Sequence, residues 1–90
     1  MVIEVNKHNY KMIKNYREAY EKEDFLNRFE DYFSKYDYIV GDYAYGKLRL
    51  KGFYNEKHKE VSKINNFSDL DKYLEDNCAF ECKYFVLEKK

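Results

Sequence analysis

Two short segments, YDYIVGDY (36–43) and KLRLKGFY (47–54), are separated only by Ala44, Tyr45 and Gly46. Both alternate and are rich in residues that suit a pleated surface, and the glycine between them gives the backbone the freedom a tight reversal needs. The pair predicts a β-hairpin with a Gly-containing loop. A two-stranded hairpin is marginal in water by itself, so its apolar face must be covered by further strands or helices from the same short chain.

The rest of the chain supplies candidates for that cover. VIEV (2–5) and the stretch around NYKMIKNY (9–16) alternate as strands do, with Asn6 to His8 as a tight connection. Phe25, Leu26, Phe29, Tyr32, Phe33 and Tyr36 recur on one face at period 3.6, behind the acidic start Glu21, Glu23 and Asp24. They predict one long helix, with Tyr36 passing into the next strand. Residues 55–66 read as a polar loop. SDLDKYLEDN (68–77) reads as a short helix capped by Ser68, with Asp71 three residues on and Leu70, Tyr73 and Leu74 facing inward. CKYFVLEK (82–89) is apolar on both faces, as an interior strand is.

The element order is β-β-α-β-β-α-β. It implies an α+β fold: a single small domain over residues 1–90, with one mostly antiparallel sheet and two helices packed on one face. A chain of 90 residues buries a modest core, and eleven Tyr and seven Phe supply much of it, each ring removing a large area from water. The same richness in Tyr, Lys, Asn and Ile is also what an AT-rich genome encodes.

Charge excludes one class of function and leaves another open. Seventeen cations balance seventeen acids, so the chain lacks the global basic footprint of a strong nucleic-acid binder. The balance is uneven, however. Residues 47–63 hold six cations against Glu56 and Glu60, a local excess of +4. In KLRLKGF, Leu48, Leu50 and Gly52 point one way, and Lys47, Arg49, Lys51 and Phe53 point the other. Cations repeating every about 6.6–6.8 Å on a strand, with a ring at the end of the row, match a single-stranded nucleic-acid platform. The competing explanation is structural: Asp37 and Asp42 on the partner strand can pair with these cations, and lysines also protect sheet edges.

Other motifs are weaker. Lys51-Gly52-Phe53-Tyr54 matches the start of an RNA-recognition-motif signature, but Asn55, Glu56 and Lys57 break the match. Tyr43 and Tyr45 flank the hairpin turn, where each ring can serve as a surface contact or fold back as core. Cys78 and Cys82 have no second pair of ligands to complete a zinc site, so we expect no metal. On a helix the two would be close enough to bridge under oxidation, whereas an extended segment would hold them about 13 Å apart. With no export signal in view, both are expected as reduced thiols acting as small buried hydrophobes. No nucleophile–base pair and no phosphate loop is visible, and we expect no enzyme and no cofactor. A site built on Asp37 or Asp42 as buried carboxylates is the remaining catalytic alternative. No apolar run approaches membrane-spanning length, and the expected location is cytoplasmic.

Three stretches together carry a resemblance: YKMIKNYREAY (10–20), YDYIVGDYAYGKLRLKGFY (36–54) and CAFECKYFVLEKK (78–90). They resemble the YutD-like family, small cytosolic proteins of Firmicutes and their wall-less relatives. The resemblance spans nearly the whole chain. It departs between the cysteines, where the family pattern is Asn-Phe-Gly and this chain has Ala79-Phe80-Glu81, at Lys83, and at Ala44 where glycine is common. The resemblance implies a compact α+β fold and brings no catalytic residues.

The sequence therefore predicts a non-catalytic binding module. Its first expected partner is RNA or single-stranded DNA, with Lys47, Arg49, Lys51, Lys57 and Lys59 on phosphates and Phe53, Tyr43 and Tyr45 on bases. The alternative partner is an acidic protein, bound by the tyrosine-rich hairpin or a free sheet edge.

Overall fold

The structure is a computed structural model and describes residues 1–77 and 82–90. Five strands form the sheet: β1 (Val2–Val5), β2 (His8–Tyr16), β3 (Tyr38–Ala44), β4 (Lys47–Phe53) and β5 (Tyr84–Lys89). Their spatial order is β1-β2-β5-β3-β4, and each neighbouring pair is antiparallel. The last strand thus lies in the middle and joins two hairpins that are remote in sequence. Two helices, α1 (Lys22–Arg28) and α2 (Leu70–Asn77), complete an α+β domain in the expected order.

Both hairpins turn in two residues at positive φ. Asn6 and Lys7 (φ 48° and 69°) join β1 to β2, and Tyr45 and Gly46 (φ 55° and 76°) join β3 to β4. Two consecutive left-handed residues are the signature of the I′ turn, whose twist matches that of the flanking strands.

The helices lie on opposite faces of the sheet rather than on one. On the first face, Phe25 of α1 and Phe29 pack with Ile3, Val5, Tyr10 and Ile39, and with Leu48, Phe85 and Leu87 in the same cluster. On the second, Leu70 and Tyr73 of α2 and the neighbouring Phe67 pack against Val40, Phe53 and Val86. The physical reason is in the strands. Ile39 and Val40, and Phe85, Val86 and Leu87, are consecutive buried residues, so β3 and β5 expose apolar surface on both sides and require a layer on each.

The expected long helix is also broken. After α1 the chain is extended at Phe29 and Glu30 (ψ 138° and 154°), then makes a 3-10 turn over Asp31–Lys35. Phe25, Phe29 and Phe33 keep a spacing of four on either side of the break, so periodicity alone cannot detect it. Their rings still form one run, with centroids 5.6 and 6.2 Å apart. Tyr36 follows this turn instead of entering β3, and its ring covers Gly52, where a Cβ would lie 2.1 Å from Tyr36 Cδ2.

At the second helix Asn66, not Ser68, is the cap. Its Oδ1 accepts the Ser68 N–H at 2.9 Å and begins a short 3-10 turn that runs into α2. Cys82, half-buried before β5, is disulfide-bonded rather than the reduced thiol expected. Cys78 and the departures at Ala79, Phe80 and Glu81 lie outside the described residues. No helix among the described residues is long and apolar enough to cross a membrane.

Candidate functional site

β4 carries half of the candidate contact residues, Lys47, Arg49, Lys51 and Phe53, and the structure gives them different fates. Alternation along β4 is as expected, with Leu48 and Leu50 turned to the first face and Lys47, Arg49, Lys51 and Phe53 to the second. That second face is not open, because α2 and Phe67 lie across it.

Phe53 is therefore core. It is 2 % exposed, and the Tyr73 and Phe67 rings meet it edge-on with centroids at 5.4 and 6.3 Å. It offers no stacking face, and its assignment to a base-binding row is corrected on that ground. Arg49 is also committed. Its Nε and Nη2 donate to the two carboxylate oxygens of Asp42 at 3.0 and 2.9 Å. Nη2 also donates to the Asn77 carbonyl at the end of α2, at 2.8 Å. Asp42, directly opposite Arg49 in the register, is 1 % exposed. A buried carboxylate needs such a partner. The hydrogen bond to Asp42 is also the main reason the guanidinium is pushed above its ordinary value. The cross-strand pair that competed with the binding explanation is what forms, and it ties α2 to the sheet.

Lys51 is half-buried, its Nζ 5.2 Å above the Phe53 ring centroid and 5.8 Å from that of Tyr73. Lys57 and Lys59 are exposed in the loop after β4. Asp37 accepts the Asn55 N–H at 2.8 Å and so anchors the start of that loop.

The hairpin tip is different. Tyr43 is held in place: its hydroxyl donates to Asp24 Oδ2 of α1 at 2.7 Å, and Lys83 Nζ lies 4.6 Å from its ring centroid. Burial, reinforced by the bond to Asp24, pushes the Tyr43 phenol well above its usual range. Tyr45, by contrast, is fully exposed at 103 % and stands at the apex of the turn. Lys47 is exposed beside it and lines a small cleft with Asp24, Asn27, Arg28, Gly46 and Leu48. The tip is thus an exposed aromatic ring with a mixed polar rim, on a two-residue turn tied to α1 through Tyr43.

This hairpin lies in the longest of the sequence stretches that carried the resemblance, residues 36–54. Residues 4–88 match the family described as "Putative antitoxin YutD-like". The chain belongs to the YutD-like family. Among the relatives of this YutD-like chain, "Putative antitoxin YutD" of Bacillus subtilis (strain 168) is 40% identical over 80 residues, which is 89% of this chain and 88% of that protein. The solution NMR structure of protein yutD from B. subtilis is similar with a TM-score of 0.84 at 37% identity, covering 100% of this chain and 82% of that one. The small α+β fold described above is thus the YutD-like fold.

Sequence reasoning missed two groups of residues. Asn27 and Arg28 join the hairpin tip only because α1 crosses its end. Lys63, Lys72 and Tyr73 join Lys51 in a second cleft only because α2 folds over β4. The excess charge in 47–63 hinted at Lys63. The inward face expected of the second helix already held Tyr73, but nothing in the sequence pointed to Asn27, Arg28 or Lys72.

Proposed function

We propose that the protein is a non-catalytic cytoplasmic binding module that engages a protein partner through the tip of the β3–β4 hairpin. The observation that carries this reading is Tyr45. A non-glycine residue at φ 55° is held in a conformation that disfavours it, and its ring is left wholly in solvent. Asn or Gly would make the better turn. Backbone strain combined with an exposed aromatic ring is the pattern of a residue retained for contact. Lys47 and Arg28 beside it suit an acidic partner surface.

The description of the family and of the Bacillus relative as a "putative antitoxin" supports the same reading. A molecule that acts by engaging another needs a presented surface more than a reaction centre. Binding of RNA or single-stranded DNA at the hairpin is the less favoured reading. It retains Lys47, Lys57, Lys59 and Tyr45, but of the three rings expected on bases Phe53 is in the core and Tyr43 is held against Asp24.

The test places a photo-crosslinking amino acid at position 45 in cells. Adducts that protease removes and nuclease does not support a protein partner. Nuclease-sensitive adducts support the nucleic-acid reading, and the absence of any adduct overturns a contact role for the tip. As a control on the fold, Tyr45→Asn should raise stability by about 1 kcal/mol while weakening partner binding at least tenfold, a combination that a purely structural tyrosine cannot produce.

A further inference from the structure

At the other end of β4 from the hairpin tip, β4, the segment 63–66 and α2 enclose a cleft of about 520 Å³. That is the size of a site for a small molecule, typically about 300–1,000 Å³. Three lysines line it, Lys51, Lys63 and Lys72. Among the described residues no salt bridge involves any of the three. Lys51 is the most informative. It is half-buried and held over the Phe53 and Tyr73 rings, which leaves its ammonium partly withdrawn from water. A partly desolvated cation of this kind gains more from an incoming anion than one already in water.

The cleft is not uniformly basic. Asp69 and Asp76 line it too, and neither forms a salt bridge among the described residues. Two free carboxylates would repel an extended polyanion such as a nucleic-acid strand or an acidic peptide. They suit instead a compact ligand with one anionic end and hydroxyl or amine donors elsewhere. Between the charged groups the lining mixes the amides of Asn66 and Asn77 with apolar surface: Tyr73 is half-buried, and Ile64 is 76 % exposed, unusually open for a large aliphatic side chain.

We infer that this cleft is a binding site for a nucleoside monophosphate. The lysines hold the phosphate, Tyr73 and Ile64 border the flat base, and Asp69 and Asp76 accept from sugar or base donors. Lysine is suited to the phosphate because its ammonium is a compact point charge. The site is separate from Tyr45 and uses none of the residues at the hairpin tip, so either assignment can fail without the other.

The test is a titration of the full chain followed by backbone amide NMR shifts, with AMP, adenosine, ribose 5-phosphate and inorganic phosphate as separate probes. AMP is expected to give saturable shifts confined to 51–53, 63–66 and 69–77. Adenosine and inorganic phosphate are each expected to bind at least about tenfold more weakly, since each lacks contacts worth at least 1.4 kcal/mol. Lys63→Ala and Lys72→Ala, both at exposed positions that leave the core untouched, should each weaken AMP about tenfold. Lys51→Met preserves the packed stem and should do the same. The inference is overturned if AMP gives no saturable shift at millimolar concentration or shifts residues outside the cleft. It is equally overturned if inorganic phosphate or ribose 5-phosphate binds as well as AMP, or if the lysine variants bind AMP like the parent.

Discussion

Individual side chains of one type serve opposite purposes here, and neighbours decide which. Arg49 and Lys47 sit two residues apart on the same face of β4. Arg49 is fixed by both oxygens of Asp42 and by the end of α2, whereas Lys47 stays in solvent. Arg49→Met should therefore destabilise the fold by about 1–3 kcal/mol in urea unfolding, at the lower part of the range for charged hydrogen bonds because the guanidinium is partly exposed. Arg49→Lys should restore only part of that loss, because an ammonium cannot make the paired, planar contact. Lys47→Met should leave stability nearly unchanged. An Arg49→Met variant as stable as the parent would mean that the bond to Asp42 contributes nothing. Which cation would pair was not legible in KLRLKGF. The strand period places Lys47, Arg49 and Lys51 on one face, but the register that sets Arg49 opposite Asp42 depends on the turn, and Asn77 arrives from a different element.

At the scale of elements, the sheet stays thin where rings must lie flat on it. Gly41 on β3 sits under Phe85 of β5, and a Cβ there would come within 2.3 Å of the Phe85 ring. Phe85 is wholly buried and meets Tyr20 and Phe25 edge-on, so it cannot move aside. Gly41→Ala should cost about 1–3 kcal/mol by overpacking. Combined with Phe85→Leu it should cost less than the sum of the two single changes, by about 0.5–3 kcal/mol, and a double-mutant cycle in urea measures the coupling. Simple additivity would remove the ring-on-glycine contact as the reason for Gly41. The equivalent change at Gly52 should be milder, since the Tyr36 ring over it is only half-buried and can swing outward. The element types themselves could be read from sequence, because period 2 and period 3.6 leave different apolar patterns. The break after α1 could not, because the three phenylalanines fit a helix and a helix followed by a tighter turn equally well.

For the whole molecule, the central place of β5 and the weight of aromatic packing set the stability profile. β5 bonds to both β2 and β3, whereas β1 has one partner strand. Amides of β5 should therefore be the last to exchange with deuterium and those of β1 among the first. Uniform protection across the sheet would contradict that ranking. The tyrosines add a pH limit. A hydrogen bond to Tyr32 above all, and then burial, push the Tyr36 phenol up to about 12, while burial pushes Tyr10 to about 12. Tyr20, Tyr43, Tyr54 and Tyr73 are raised as well. The folded state prefers these phenols neutral. Their contribution is complete below the ordinary value of about 10 and is lost as pH rises through the folded values. Tyrosinate absorbance and circular dichroism followed together should show a cooperative step between about pH 10 and 12 in which late phenols ionise as the fold is lost. If every tyrosine titrated near 10 with the fold intact, the packing described for them would be wrong. The sequence by itself determined the hairpins, the element order and the α+β class, because each follows from spacing within a few residues. Only the tertiary structure decided that the last strand lies centrally, that the helices cover opposite faces, and that Phe53 is core while Tyr45 is free. Those outcomes depend on which distant surfaces meet, and a strand apolar on both sides does not specify which helix will cover which face.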